Sequence, residues 1–226
     1  MDWSGILQSI ISGVISGVVV GLVVFRLDEK RTKRERRLSD FRIASNWKNV
    51  EPKVSLRDFD LTKTNLSGHK FRKANLESAI LFGTILWGSN FEGANLRHCD
   101  FRKSRMVGAK LANAIAVGAN FSGAIIKKNV DPEHNFWSDF SYISLKGAKL
   151  VDTRLSGVRF TNASLRGADL RGAIILDCDF TGADLNDVNW KKAKRIENCV
   201  WKDVKFANQE NFPLTLWTEI QRQNAG

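Results

Sequence analysis

Residues 160–189 read FTNAS LRGAD LRGAI ILDCD FTGAD LNDVN, which is one five-residue pattern repeated six times. A large apolar residue opens each group, and a small residue, most often Ala, stands fourth. The large position recurs through residues 56–126, 140–190 and 196–206, which gives 29 positions. Only Ala116 among them is not large and apolar, and none is charged. A period of five fits neither the 3.6-residue helix nor the two-residue strand.

Within the pattern, the small and the large apolar positions lie two residues apart, as inward side chains of a short extended segment do. The three remaining residues must then turn the chain before the pattern restarts. Four such corners close a square coil, and stacked coils pair at a strand spacing of ~4.8 Å. The repeats therefore predict an all-β solenoid of about seven coils and roughly 35 Å in length.

The tripeptide AlaAsnLeu occurs at 74–76 and 94–96, and AlaAspLeu occurs at 168–170 and 183–185. At this density the motif resembles the pentapeptide-repeat family, and the resemblance covers residues 54–206. It implies a right-handed quadrilateral β-helix, whereas the periodicity by itself predicts only a narrow solenoid. The best-known soluble members of that family mimic DNA with an acidic surface and bind type II topoisomerase.

The charge of the repeat region departs from that pattern. Residues 51–226 hold 26 basic and 19 acidic side chains, a net charge of +7, which argues against topoisomerase binding through DNA mimicry. Direct nucleic-acid binding is compatible with the charge. Outward aromatic residues are scarce, however, with Trp87 nearly alone, so we expect no nucleic-acid partner.

An uncharged run, ILQSIISGVISGVVVGLVVF, occupies residues 6–25. Twenty residues at about 1.5 Å each span the ~30 Å hydrocarbon layer of a bilayer. A basic cluster follows the run, so we predict a single-pass anchor in a bacterial inner membrane, with the N-terminus outside and the repeats in the cytoplasm. No basic stretch precedes the run, which favours an uncleaved anchor. The cluster sets the topology or binds anionic headgroups; it comprises Arg26, Lys30, Arg31, Lys33, Arg34, Arg36 and Arg37.

Small residues recur at every fourth position along this run, which lets a second helix backbone approach closely. We expect them to mediate self-association, as a dimer or a larger assembly, although Gly is also simply frequent in membrane helices. These residues are Gly5, Ser9, Gly13, Gly17 and Gly21. A neighbouring polar line could face a partner helix or a pore. It consists of Gln8, Ser12 and Ser16.

The repeat pattern breaks at residues 127–139, KKNVDPEHNFWSD. This break is either a projecting partner-binding loop or a tolerated insertion whose aromatic residues fold back. Its candidate contact residues are Lys127, Lys128, His134, Phe136 and Trp137. A short amphipathic helix near the C-terminus is either a cap of the solenoid or, as in the family, a helix that joins two rods. Its apolar residues are Phe212, Leu216, Trp217 and Ile220.

The chain thus divides into an extracytoplasmic tail (1–5), a span (6–25), a basic helix with an N-terminal cap (26–50), a first repeat block (51–126), a loop (127–139), a second block (140–208) and a C-terminal helix or cap (209–226).

The sequence offers no catalytic constellation. Cys99, Cys178 and Cys199 fall on the small inward position, no nucleophile neighbours a base, and a filled solenoid provides no concave pocket. We therefore expect no enzyme activity, catalytic residue, metal, cofactor or small-molecule substrate. The sequence predicts a membrane-anchored scaffold that self-associates and binds a protein partner in the cytoplasm. The alternative is an oligomerising effector that permeabilises the bilayer, and topoisomerase binding is the least favoured interpretation.

Overall fold

Each five-residue group forms one side of a coil, and each group stacks on the group four before it. Parallel bridges join residues twenty apart on all four sides: Asp60↔Ile80, Asn65↔Ile85, Lys70↔Asn90 and Asn75↔Asn95. Backbone hydrogen bonds follow the same step, and the N–H of Leu61 donates to the carbonyl of Ile80 at 2.8 Å. The prediction of a β-solenoid is therefore confirmed.

The computed structural model describes residues 25–47, 55–130, 137–207 and 214–224. The described part of helix α1 covers residues 25–45, and helix α2 is Leu214–Asn224. The described residues between the helices form seven strands: β1 (Arg105–Val107), β2 (Ile125–Lys127), β3 (Ser138–Asp139), β4 (Arg154–Ser156), β5 (Val158–Arg159), β6 (Ile174–Leu176) and β7 (Arg195–Glu197). One parallel sheet has the order β1-β2-β4-β6-β7, and β3 pairs with β5.

The number of turns with continuous strand pairing differs from the prediction. The five strands of the larger sheet are separated by four turns, fewer than the predicted about seven coils. Nearer the N-terminus on this side, and mainly along the other sides too, the stacked segments meet through single bridges such as Asn65↔Ile85 and Asp184↔Lys205. The corners there are closed by turn hydrogen bonds, such as His69 N–H to Leu66 O at 3.2 Å, so three-residue strands do not form.

The large apolar series fills the interior of the solenoid. Leu81, Phe101 and Phe121 are fully buried, and the Phe101 and Phe121 rings stack with centroids 4.7 Å apart. Some inward hydroxyl groups bond to the neighbouring coil, as Thr84 Oγ1 does when it donates to the carbonyl of Leu61 at 3.0 Å. The interior therefore consists of the chain's own packed side chains.

The corners depend on residues that accept a positive φ. Asp58 and Gly83 stand two positions after their large residue with φ of 59° and 63°, in the left-handed region that Gly, Asn and Asp adopt most readily. A β-turn hydrogen bond closes many corners, as between the N–H of Ala74 and the carbonyl of Phe71 at 3.1 Å. This requirement explains why Gly recurs at a fixed place in the repeat.

The chain divides into two units, Met1–Ser39 and Asp40–Gly226. In the described part of the first unit, α1 exposes its side chains from Phe25 to Ser39. Of the helices in the described ranges, neither combines the length and the apolar character needed to cross a bilayer. The predicted span at residues 6–25 lies outside these ranges, apart from Phe25.

Candidate protein-interaction surface

The side of the solenoid that carries β1, β2, β4, β6 and β7 presents an unusual outward surface. At the position before each large residue, isoleucine and arginine alternate from coil to coil: Ile85, Arg105, Ile125, Arg154, Ile174 and Arg195. A second outward column lies one residue after each large residue: Trp87, Val107, Lys127, Ser156, Leu176 and Glu197. We call these two columns together the Ile-Arg face.

The residue before each large position contributes to whether a turn or a strand forms. On the other sides an Asn or Asp usually precedes the large residue, and its side chain accepts a bond from the backbone two residues on, as Asn90 Oδ1 does from Glu92 N–H at 2.9 Å. Such Asx bonds favour turns. Isoleucine and arginine have no side-chain acceptor. Ile125 and Ile174, which are β-branched and favour extended backbone, lie in three-residue strands. Ile85 on the same face and Ile115 on another side meet their partners through single bridges, so this position contributes to strand formation without deciding it.

The outward side chains of the Ile-Arg face are accessible. Trp87 is 47% exposed, and the Arg105 guanidinium lies 5.7 Å from its ring centroid, within the range of a cation–π contact. Arg105, Lys127 and Arg154 are exposed, while Ile125 is half-buried between its neighbours in the ladder. The surface therefore combines exposed cationic groups with partly buried apolar side chains.

Ion pairing distinguishes this face from its neighbours. On the adjacent side, Arg102 pairs with Asp100 and Arg171 with Asp169, each with an N–O distance of 2.7 Å. Hydrogen bonds from Arg171 hold the pKa of the Asp169 carboxyl below its usual range, against the opposing effect of partial burial, and Asp169 raises the pKa of Arg171 in return. These guanidinium groups are already neutralised by their own chain.

Arg105 and Arg154 lack such partners. Within the ranges that the structure describes, neither forms an ion pair with a carboxylate. The one carboxylate on the Ile-Arg face is Glu197, at the end nearest α2, and it pairs with Arg195 at 2.6 Å. With respect to the residues that the structure describes, the central part of the face therefore presents two unneutralised guanidinium groups.

Helix α2 packs against its own solenoid. Leu216 and Ile220 are buried in the core cluster, and Trp217 contacts Phe206 edge to face at 5.1 Å. Two side-chain amides also pair with the backbone of the last coil. Their bonds run from Trp201 N–H to Gln223 Oε1 at 2.8 Å, from Gln223 Nε2 to Cys199 O at 3.0 Å, from Asp203 N–H to Asn224 Oδ1 at 2.8 Å, and from Asn224 Nδ2 to Trp201 O at 3.0 Å.

These contacts favour the cap over the rod-joining helix, the two interpretations that the sequence left open. The apolar residues that a rod-joining helix would present are used within the chain at Leu216, Trp217 and Ile220. Phe212 lies outside the described residues. At the opposite end Asp40 plays a matching part, because its Oδ2 accepts from Asp60 N–H at 2.9 Å, twenty residues on, where a preceding coil would supply a carbonyl. Trp47 also packs on Phe71, with ring centroids 5.8 Å apart.

The break in the repeat is narrower than its sequence suggests. Lys127 belongs to β2, and the coil register resumes at Ser138 in β3. The Arg159 guanidinium lies 5.6 Å from the ring centroid of Trp137, so this aromatic contacts the solenoid. Lys128 runs close to Gly157 in the next coil. His134 and Phe136, the other predicted contact residues, lie outside the described ranges, and the structure brings no partner site together here from the residues it describes.

The N-terminal predictions are covered only in part. Every basic residue of the cluster between Arg26 and Arg37 is exposed on α1, and Arg31 pairs with Glu35 at 3.0 Å. The proposed self-association and pore residues lie outside the described residues: Gly5, Ser9, Gly13, Gly17, Gly21, Gln8, Ser12 and Ser16.

The described residues show little that could perform catalysis. A cleft of about 520 Å³ lies between β7 and α2, but its Arg195 and Arg222 are already paired with Glu197 and Glu219. Burial raises the pKa of the Cys99 thiol to about 12, which keeps it protonated and unreactive. No group of three or more His, Cys, Asp or Glu in the described ranges could hold a metal ion.

The Ile-Arg face was not recognised in the sequence. Its signal is present, because reading one residue before every fourth large position, across the break, gives Ile, Arg, Ile, Arg, Ile, Arg from Ile85 to Arg195. Recognising it requires the outward positions to be compared coil by coil across the break. The inward apolar series, which decides the fold, does not itself point to that comparison.

Comparison with known proteins supports the repeat assignment. Residues 53–88, 89–127 and 138–175 match the family model for pentapeptide repeats (8 copies), and together they make up half of the chain. No curated protein matches the chain.

Several solved structures resemble the solenoid at low identity. HetL, a pentapeptide repeat protein involved in heterocyst differentiation regulation from the cyanobacterium Nostoc, is 20% identical over 69% of this chain and 91% of HetL, with a TM-score of 0.26. A pentapeptide repeat protein from the thylakoid lumen of Arabidopsis thaliana is 25% identical over 50% of this chain and 69% of its own, with a TM-score of 0.29. QnrB1, a plasmid-mediated fluoroquinolone resistance protein, is 23% identical over 71% of this chain and 90% of its own, with a TM-score of 0.27. With the coil geometry and the family match together, the chain belongs to the pentapeptide-repeat family.

Proposed function

We propose that this protein is a non-enzymatic scaffold that is anchored in a membrane through residues 6–25 and holds a protein partner on the outside of its solenoid. The observation that carries the proposal is the contrast between a filled interior and an outer face with unneutralised cations. Leu81 and Phe101 are fully buried inside the solenoid, whereas Arg105 and Arg154 are exposed and form no ion pair with any carboxylate that the structure describes. A rigid solenoid with such a face is suited to binding rather than to catalysis.

The anchoring part of the proposal rests on the sequence. An uncharged run of twenty residues followed by exposed basic residues on α1 is typical of a span with its C-terminal side in the cytoplasm. The small residues at every fourth position supply the surface for self-association, and the number of copies follows from how these helices pack.

Membrane fractionation of cells expressing the full chain tests the anchor. We expect the protein in the membrane fraction after alkaline carbonate extraction, and a variant without residues 6–25 in the supernatant. Recovery of the full chain in the supernatant would contradict anchoring. A variant with Arg31→Gln and Arg34→Gln is the control, because it removes basic charge and leaves the apolar run intact.

Cross-linking of the full chain in detergent tests self-association. We expect the double variant Gly13→Ile/Gly17→Ile to lose the cross-linked species, because bulky side chains keep the helices apart. Val14→Ile with Val18→Ile is the matched control, since it adds volume at the same spacing on another line of the helix. Unchanged cross-linking of the glycine variant would exclude this line of contact.

Dye entry into cells separates the scaffold from the permeabilising effector. The scaffold leaves the bilayer intact, so expression of the full chain should not admit dye. If dye enters, and entry is lost in Gln8→Leu with Ser12→Leu, the effector interpretation replaces the scaffold.

A further inference from the structure

We infer that the Ile-Arg face binds an acidic amphipathic α-helix of a partner protein, which lies along the solenoid axis. This inference deepens the proposed function, because it names the face and the chemical class of the partner. It rests on the charge of the face, on the order of its side chains and on their axial spacing.

Charge requires an acidic partner. Arg105 and Arg154 are exposed and have no carboxylate within ion-pairing distance in the described ranges, unlike Arg102 and Arg171 on the adjacent side. Guanidinium groups form their strongest pairs with carboxylates, often through two hydrogen bonds. Lys127, also exposed on β2, adds a third positive charge to the same region.

The order of side chains along the Ile-Arg face requires the partner to carry apolar side chains between its acidic ones. Ile125 lies between Arg105 and Arg154 in the parallel ladder, and Ile85 and Ile174 flank the two arginines. Trp87, which is 47% exposed, adds apolar surface beside Ile85. A partner must therefore alternate apolar and acidic groups along the axis, as one face of an amphipathic helix does.

Axial spacing selects a helix. Successive coils are stacked at about 4.8 Å, so Arg105 and Arg154, two coils apart, are separated by roughly 9.6 Å along the axis. Helix residues seven apart are separated by about 10.5 Å and share a face, with residues three or four apart about 4.5–6 Å along it. Two acidic residues seven apart, with an apolar residue between them, thus fit Arg105, Ile125 and Arg154 after a small tilt.

The same features argue against a bilayer as the occupant. Surfaces that enter a bilayer insert apolar side chains that project from the protein. Ile85, Ile125 and Ile174 are half-buried in the ladder, and among the large apolar residues of this face only Trp87 is strongly exposed. The apolar part of the face is a shallow strip, which a helix can cover.

Fluorescence anisotropy with the full chain in zwitterionic detergent tests this inference. The probe is a labelled synthetic helix with two Glu seven residues apart, Leu midway and on both flanks, and Ala and Gln elsewhere. We expect Arg105→Gln with Arg154→Gln to weaken binding by about tenfold or more. Arg102→Gln with Arg171→Gln is the matched control, because it removes the same charge from arginines that are already paired, and it should change binding by less than about twofold.

Two further measurements separate this helix from a less specific acidic ligand and from a lipid surface. A probe of the same composition with its Glu five residues apart should bind weakly, since its acidic groups then leave the shared face. Equal binding of both probes, equal loss in both variants, or no binding at all would overturn the inference. Binding of anionic phosphatidylglycerol vesicles that depends on Arg105 and Arg154, without helix binding, would replace the helix by a lipid surface.

The result of the helix-binding test does not depend on the proposed membrane anchor at residues 6–25. Arg105 and Arg154 lie on the solenoid, so their substitution should not change membrane fractionation. If the chain fractionates with membranes but does not bind the synthetic helix, only this inference is overturned and the proposed anchor stands. Arg105 and Arg154 are both exposed, so Arg105→Gln with Arg154→Gln should keep the circular dichroism and melting temperature of the parent chain. The control variant removes two ion pairs, so it should keep the circular dichroism and melt at a slightly lower temperature.

Discussion

Ile80 and Leu81 are adjacent in the chain, yet their side chains leave opposite surfaces of the coil wall. Ile80 is 38% exposed, whereas Leu81 is completely buried. Both are aliphatic and of equal size, so hydrophobicity does not decide which of them supports the core. Their position in the five-residue period does, because extended backbone sends neighbouring side chains to opposite faces.

Truncation of these two residues should therefore have unequal effects. We expect Leu81→Ala to lower the free energy of unfolding by about 2–5 kcal/mol, because it removes buried methyl groups and leaves a cavity. Ile80→Ala should cost less than about 1 kcal/mol, because solvent already reaches its side chain. Urea denaturation of the full chain, followed by circular dichroism, measures both. Equal losses would mean that the wall does not separate the two positions.

The period predicted the inside of the solenoid better than its outside. Large inward positions such as Leu81 and Phe101 must each supply an apolar group to a narrow interior. The five-residue spacing of these groups in the sequence therefore identifies all of them. Folding does not require a particular residue type at outward positions such as Arg105 and Arg154. Their relationship appears only once coils are stacked, since 49 positions separate them in the chain and the break shifts the register.

Helix α2 shows how a solenoid can end without exposing a sheet edge. An unpaired edge invites pairing with another chain. Gln223 and Asn224 each place one acceptor and one donor against the last coil, which is what the backbone of a further coil would supply. Hydrophobic spacing predicted an amphipathic helix here. It did not predict this pairing, because polar side chains at the end of a helix show no period.

Removing both amides should loosen the last coil and leave the middle of the solenoid intact. We expect Gln223→Ala with Asn224→Ala to speed hydrogen exchange at the Trp201 and Asp203 amides, and to lower stability by about 1–3 kcal/mol. Amide exchange followed by mass spectrometry or NMR measures the effect. The control is Gln221→Ala, an exposed residue of the same helix that should change neither amide. Unchanged exchange in the double variant would show that the amides do not cap the coil.

The whole solenoid is a stack of nearly independent turns. Most stabilising contacts join a coil to the one before and the one after it, as the bridges Asn75↔Asn95 and Asn95↔Ile115 do. The stability of such a stack is approximately a sum of turn and interface contributions, with special requirements only at its ends. Removing a complete internal turn should therefore shorten the molecule without preventing its folding.

Deletion of residues 162–181 tests whether the turns are independent in this way. It removes twenty residues and joins Thr161 to Gly182, which preserves the order of the repeat and the register of all four sides. We expect a cooperative thermal transition with a β-type circular dichroism spectrum and a lower melting temperature, because one turn and one interface are lost. Deletion of residues 162–179 is the control, since it removes only eighteen residues and places Phe180 two positions after Phe160, at the corner position with positive φ that Asn162 occupies. This control should lose the transition, and if both deletions melted alike, the twenty-residue turn would not be the unit of stability.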